Sequence, residues 1–465
     1  MQTKAAKKKT QSLRIIIVGC GKVGHTLTEQ LVREGHDVTI VDTSERVVRD
    51  TTDTFDVMGI QGNGASLRVL MEAGLQQADL VIAVTGSDEL NLLCCTIAKK
   101  AGGALAAIAR VRNPDYSEEL PYLRQQLGLS MIINPELEAA QEIARLLSRP
   151  QALTVSSFAK GHAELVRFKI PKGSILHGRR IMQLEDIFHF GYLVCAVENE
   201  GHVVIPSGST MLHEGNDITI LASSREAHHI FESIGMHSNS VHSCMIIGGG
   251  KSSYYLAKQL IEQKLEVKII ESNKERCEEL STLLPEALVI CGDGTDQDLL
   301  IEEGVLEVDG FVALTGIDEE NMIISLFAKD STNAKVVTKV SRENYIDLSS
   351  ELGLDCVVSP KFLTMGNVLS YVRSLESTAG SEIESLYHLV GDQVEAIEFR
   401  VKERIPDLVG VPLKDVQLKK NILICAIIRK REIIIPDGSA VIELGDSVVI
   451  VSKEHHFSSM KDILD

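Results

Sequence analysis

Two short glycine-rich segments carry the residue types from which a diphosphate cradle is built. Gly19-Cys20-Gly21-Lys22-Val23-Gly24 follows the apolar run 13–18, and Gly248-Gly249-Gly250-Lys251-Ser252-Ser253 follows the run 244–247. At the end of a strand, the first glycine of such a segment allows a tight turn and the second lets backbone N–H groups approach a diphosphate. The third permits close packing of the next helix on the strand. A helix opening near Lys22 aims its N-terminal amides and positive dipole end at the same anion. Lys22 and Lys251 either add a charge to a phosphate or stand in solvent. Asp42 closes the run 38–41, 18 residues beyond Gly24. A carboxylate there accepts hydrogen bonds from both ribose hydroxyls and repels a 2′-phosphate, which disfavours NADP. A second reading stays open, because Thr43-Ser44-Glu45 also begins a helix that Asp42 could cap.

The segments belong to a duplication. Gly19 recurs as Gly248 and Asp42 as Glu271, at the same 229-residue offset. Gly62-Asn63-Gly64 is matched by Gly292-Asp293-Gly294, and Thr85-Gly86-Ser87-Asp88-Glu89-Leu90-Asn91 by Thr315-Gly316-Ile317-Asp318-Glu319-Glu320-Asn321. Such a period is too long for a solenoid repeat and marks a duplicated block. Thr85 and Thr315 either contact a ligand or cap helices, and the Asp88 and Asn91 positions are equally divided between the two roles. Arg110 and Lys339 end the fifth run of each copy, where a cation pairs with phosphate, ribose or a neighbouring subunit. The copies differ at the third glycine, which is Ser253 in the second. A Cβ there is expected to push the helix from the strand and to weaken, alter or abolish binding.

The elements that position these loops follow from the rhythm of the chain. Apolar runs at 13–18, 38–41, 57–60, 79–84, 105–111 and 130–133 alternate with helical patterns, and 244–247, 266–270, 287–291, 309–314, 335–340 and 355–358 repeat them. This predicts an α/β chain with two Rossmann-like doubly wound parallel sheets. Asn134-Pro135-Glu136 and Ser359-Pro360-Lys361 open helices, the first expected to run to about Leu147. Each sheet is followed by a small α+β domain with alternating strands such as 163–168 and 395–400. Turn-and-hairpin signals come at Ile205-Pro206-Ser207-Gly208 and Ile435-Pro436-Asp437-Gly438, and last strands at 218–221 and 448–451. The expected domains are 12–134, 152–236, 241–361 and 381–465.

Composition narrows the function. No apolar stretch reaches the length of a membrane span, and the start, with Lys4, Lys7, Lys8 and Lys9, reads as a disordered tail rather than a signal peptide. A net charge of −18, no tryptophan and 4% aromatics argue against nucleic acid. Nine cysteines without C-x-x-C or metal spacing fit a reduced, cytoplasmic setting in which most are small buried groups, and no metal site is expected. A dehydrogenase needs a substrate domain with a placed acid or base. None of the histidines stands in a convincing pair with a carboxylate, and His189, between Phe188 and Phe190, reads as packing. No catalytic residue is expected, and the alternatives to a ligand-responsive regulator are an NAD-dependent oxidoreductase and a scaffold with decayed sites.

In order and duplication these motifs, with Ala109-Arg110-Val111-Arg112 through Tyr116 and Asn134-Pro135-Glu136, resemble the TrkA family of Trk-system potassium-transport regulators, built from tandem RCK (KTN) domains. The resemblance spans nearly the whole chain from about residue 12 and implies that each sheet is an RCK N-terminal domain and each tail an RCK C-terminal domain. It implies a non-enzymatic cytoplasmic subunit, peripheral on the inner face of the membrane, that binds NAD(H) or ATP/ADP. Assembly into a tetrameric ring beneath a membrane potassium channel or transporter of Trk type is implied as well. Carried onto this sequence, nucleotide contacts fall on Gly19, Cys20, Gly21, Lys22, Val23, Asp42, Thr85, Gly86 and Arg110. Their counterparts are Gly248, Gly249, Gly250, Lys251, Ser252, Glu271, Thr315, Gly316 and Lys339.

Overall fold

The computed structural model describes residues 12–116, 119–158, 161–199, 201–227, 229–236, 241–354, 356–376, 381–389, 393–430, 432–453, 457 and 459–465. The lysine-rich start expected to be a tail lies outside them. The chain divides into two compact units, one holding the residues up to Glu138 with Pro360–Leu369, the other Ala139–Ser359 with Ser370–Asp465.

The first unit is built on β1 (Arg14–Val18), α1 (Lys22–Arg33), β2 (Asp37–Asp42), α2 (Glu45–Phe55), β3 (Met58–Gln61), α3 (Leu67–Glu72), β4 (Leu80–Ala83), α4 (Asp88–Lys100), β5 (Ala106–Arg110), α5 (Leu120–Leu127), β6 (Met131–Ile133) and the start of α6 (Pro135–Ser148). The parallel sheet has the order β3-β2-β1-β4-β5-β6. Every residue of β4 is buried, as in a sheet covered on both faces. Ile16, Val18, Val81 and Ala109 share one core cluster with Cys94, Cys95 and Ala98 of α4. The strand order reverses between β1 and β4, and a doubly wound sheet opens its crevice at such a point, at the carboxyl ends of the strands.

The second unit begins with the end of α6 and an antiparallel sheet of β7 (Thr154–Phe158), β8 (Ala163–Lys169), β9 (Tyr192–Asn199), β10 (His202–Val204) and β11 (Asp217–Ser223), followed by α7 (His229–Ser233). The second parallel sheet and its helices are β12 (Ser243–Ile247), α8 (Lys251–Glu262), β13 (Glu266–Glu271), α9 (Lys274–Leu283), β14 (Leu288–Cys291), α10 (Gln297–Glu302), β15 (Gly310–Ala313), α11 (Asp318–Ser331), β16 (Lys335–Lys339), α12 (Glu343–Glu351) and β17 (Val357–Val358), followed by α13 (Pro360–Glu376), whose first ten residues belong to the first unit. Its order, β14-β13-β12-β15-β16-β17, repeats that of the first. A last antiparallel sheet holds β18 (Ser381–Leu389), β19 (Val394–Val401), β20 (Ile422–Arg429), β21 (Glu432–Ile434) and β22 (Ser447–Ser452).

Both small sheets insert their last strand between earlier ones, β11 between β9 and β8 and β22 between β19 and β20. The turn expected at 205–208 lies two residues later, with Thr210 N–H donating to Ser207 O at 2.9 Å, and the hairpin lies upstream between β9 and β10. Pro206 has no N–H to continue the ladder, so β10 ends at Val204 and the chain crosses to a new place in the sheet. The second copy does the same after β21. The inner faces of the two small sheets share one core, in which Phe158, Cys195 and Leu221 join Ala396, Cys425 and Val451. Arg373 and Glu395, both about 1% exposed, form a two-pronged pair with both contacts at 3.0 Å. Arg149 and Glu164, 2.8 Å apart, form the corresponding pair of the first copy.

Candidate functional site

In the first unit, the glycine loop between β1 and α1 packs against the loop after β4. Gly19 has φ +94°, and a Cβ there would stand 2.8 Å from the Thr85 backbone. A Cβ at Gly24 would lie 1.9 Å from Gly19 O, so the turn and the helix meet at a distance only glycine permits. Gly21 and Gly86 differ from these two, since a Cβ at either meets nothing within 4 Å. Their backbone borders open space at the crevice. Gly21 is also the N-cap of α1 and supplies no side-chain acceptor, so the first-turn amides are left for another one. Val23 is buried while Lys22 is exposed.

The Asp42 carboxylate is tied to this loop. One oxygen accepts the Cys20 N–H at 2.9 Å and the other the Ser44 N–H at 2.9 Å. The cap of α2 is Ser44, whose hydroxyl accepts from Val47 N–H, so the capping alternative for Asp42 does not hold. Each carboxylate oxygen keeps a second lone pair for a hydroxyl donor. Cys20 is buried, and burial first and the Asp42 charge second push its thiol up to about 12. It is a packing group rather than a nucleophile.

Thr85 and Gly86 are held by two buried polar side chains. Asn91 accepts from the Thr85 N–H and hydroxyl, each at 2.7 Å, and donates to Arg110 O at 2.9 Å and Thr85 O at 3.3 Å. Asp88 accepts from the N–H groups of Arg112 and Asn113 at 2.8 Å. The Asp88 and Asn91 positions are therefore staples of the sheet edge. Arg110 donates to Thr85 O, while its buried Nε has no hydrogen-bond partner among the described residues. Burial and then Arg112 lower its pKa, against the pull of Glu136 and Asp88. A guanidinium with a desolvated, unsatisfied N–H at this edge fits an anionic partner.

The second copy keeps this geometry with altered side chains. Gly248 has φ +95°, and Gly250 and Gly316 again border open space. Asn321 and Asp318 repeat the staples, on Thr315, Lys339, Ser341 and Arg342. Lys339 Nζ donates to Leu314 O at 3.2 Å. Glu271 takes Gly249 N–H at 2.6 Å and Asn273 N–H at 2.7 Å, as Asp42 takes its two amides. The pairs compensate in volume: a Cβ at Gly249 would stand 2.9 Å from Glu271 Oε2, so the longer acid goes with the smaller loop residue. Arg276 Nε also donates to Gly249 O at 2.7 Å, and both polar groups flanking that residue are engaged. Lys251 is half-buried and Ser252 buried. Ser253 fits without changing the turn, but its buried hydroxyl has no partner among the described residues.

Comparison with known proteins identifies the group to which this geometry belongs. Residues 15–135 and 244–360 match the TrkA-N domain, and 165–235 and 396–465 match the TrkA-C domain. The chain belongs to the TrkA family. It is 36% identical over 450 residues to Trk system potassium uptake protein TrkA homolog 1 of Methanosarcina mazei, covering 95% of this chain and 97% of the relative. It is 34% identical over 448 residues to Trk system potassium uptake protein TrkA of Vibrio alginolyticus, covering 95% and 97%. The solved GsuK channel bound to NAD shares its fold, with a TM-score of 0.62 at 18% identity over 95% of this chain and 77% of that one.

Within this TrkA-family chain, both TrkA-N matches contain a glycine loop with its acid and its second loop, and only the first keeps the third glycine, which is Ser253 in the second. Arg276 was not singled out in the sequence, though a basic residue three positions after a helix cap is a legible signal. His189 is exposed, and it is Phe188 that packs. A histidine–carboxylate pair does exist, His229 with Glu232 at 2.8 Å, on the exposed face of α7 and outside either glycine loop in sequence. No described helix is long and apolar enough to cross a membrane.

Proposed function

We propose that the chain is the nucleotide-binding regulatory subunit of a Trk-type potassium uptake system, with four domains at 12–134, 152–236, 241–361 and 381–465. The observation that carries this reading is the open space over Gly21, bordered by an uncapped helix start and beside a loop that Asp42 holds in place. The family and the names of its relatives supply the potassium system, and the NAD of the GsuK channel supports the ligand class.

In this reading Gly19, Gly21 and the first amides of α1 hold a diphosphate, Asp42 a ribose diol, and Arg110 an anionic group near Thr85 and Gly86. NAD(H), ATP and ADP share that diphosphate and ribose. The second copy offers Gly248, Gly250, Glu271, Thr315 and Gly316 for the same task, after Arg276 and Glu271 yield part of their hold on Gly249. No bond is made or broken. The nucleotide acts through its different affinity for two arrangements of the subunit, and a membrane partner reads the resulting population. The full assembly is a homotetrameric ring on the inner face of the membrane.

Titration calorimetry of the full chain with NADH, ATP and ADP tests the reading. Saturable heat is expected, and Asp42→Ala should weaken it by about 1–3 kcal/mol. Absence of saturable heat with all three leaves a scaffold, and sustained NADH oxidation with a small carbonyl compound makes the chain an oxidoreductase. Potassium flux through a co-purified membrane partner should then depend on which nucleotide is present.

A further inference from the structure

The second copy carries two cysteines beside its nucleotide loop that have no counterpart in the first. Cys277 lies on α9, and its thiol donates to Glu271 O at 3.2 Å. Cys291 ends β14, paired in register with Glu271, with its sulfur 4.0 Å from Ser272 O. Both sulfurs thus lie against the backbone that leaves β13, at Glu271 and Ser272, and Cys291 is exposed whereas Cys277 is buried. In the first copy Asp42 pairs in register with Gln61, and the α2 position corresponding to Cys277 is Val48. Another two cysteines, Cys195 and Cys425, share the buried core of the small sheets.

We propose that Cys277 and Cys291 are a redox-modification site at which a peroxide forms a disulfide that lowers nucleotide affinity in the second copy. The Cys291 thiolate attacks the O–O bond, giving a sulfenic acid and hydroxide, which takes up a proton to leave as water. The Cys277 thiol then attacks that sulfur, forming S–S and releasing a second water. Two thiols and one peroxide become one disulfide and two waters, the peroxide being reduced and the sulfurs oxidised. Cys291 is the attacking group because it is exposed, and Cys277 resolves from beneath.

The link to the loop is geometric. A disulfide brings two sulfurs to about 2.05 Å, well inside thiol–thiol contact, and draws the first turn of α9 towards the end of β14. Those two elements carry Arg276, next to Cys277, and neighbour Glu271, next to Cys291 in the sheet. Both residues hold Gly249, one at its carbonyl and one at its N–H. Fixing them there withholds the Glu271 carboxylate and the glycine loop from a nucleotide.

The inference rests on the reading that the second copy binds a nucleotide, and hydrogen exchange of the segment 248–253 in the full chain separates the two. In reduced protein, ADP or NADH should protect these amides, and no protection there removes the nucleotide reading of the second copy itself. After hydrogen peroxide, peptide mapping should find Cys277 joined to Cys291. The affinity read from that segment should fall about tenfold, within the usual range of a coupling between sites, and return with dithiothreitol. Cys291→Gln, which installs the first copy's residue type, should bind as the reduced protein does and ignore peroxide. Protection in reduced protein with no Cys277–Cys291 link, or a link that leaves the affinity unchanged, overturns the inference.

Discussion

Gly21 and Gly24 lie three residues apart and do opposite jobs, which substitution can separate. Gly21 has φ −67° and ψ −166°, ordinary extended backbone, and a Cβ there meets no atom of the protein. Gly21→Ala should therefore change stability by no more than about 0.5 kcal/mol. Its methyl group would occupy the space assigned to the diphosphate, and calorimetry should show at least a tenfold loss of nucleotide affinity. Full binding by this variant would sink the loop assignment. At Gly24 the added Cβ would press on Gly19 O, so Gly24→Ser, the second copy's residue type, should cost about 1–3 kcal/mol. The converse holds at Ser253, whose buried hydroxyl has no partner among the described residues. Ser253→Ala should stabilise the second parallel sheet by about 1 kcal/mol in urea unfolding, because an unsatisfied buried hydroxyl is removed.

At the scale of elements, the carboxyl edge of each parallel sheet is held by the start of one helix. Asn91 lies on α4 and Asn321 on α11, both fully buried, and each ties the loop before its helix to the end of the next strand. A strand end and a loop need a fixed spacing if Thr85, Gly86 and Arg110 are to face one ligand. Asn91→Ala leaves the Thr85 N–H and two carbonyls without that partner, and should destabilise the first unit by about 2–3 kcal/mol. Faster hydrogen exchange should be confined to 84–92 and 108–113, and a uniform change across the unit would argue against a local staple. The sequence left these asparagines divided between ligand contact and capping, because a polar residue in a first helical turn suits both. What decides is the distance to Arg110 O, which depends on how β5 lies beside β4.

For the whole molecule, pH offers a test inside the first unit. Glu138 on α6 accepts from the Thr364 hydroxyl of α13 at 2.9 Å, and burial is the main cause that pushes its pKa from 4.5 up to about 7. Hydrogen bonds from Thr364, Asn134 and Asn367 act the other way, and Glu136 adds a like charge. The folded state then binds the proton more tightly than the unfolded one, so stability from this group is full below about pH 4.5 and declines as pH rises to about 7. Glu138→Gln should remove this decline, a difference of order 1–3 kcal/mol between pH 5 and 7.5 in the unfolding of the first unit. Equal pH dependence in both proteins would refute the assignment. By itself the sequence determined the two parallel sheets and the place of the glycine loops. Apolar runs and glycine turns are local signals, and chain connectivity leaves parallel strands few arrangements. Tertiary structure alone decided that Ser44 caps α2 in place of Asp42, that β11 and β22 insert between earlier strands, and that Glu271 and Arg276 grip Gly249. It also set Cys277 beside Cys291. Each of these depends on side-chain reach and register between segments distant along the chain, which spacing in a sequence does not record.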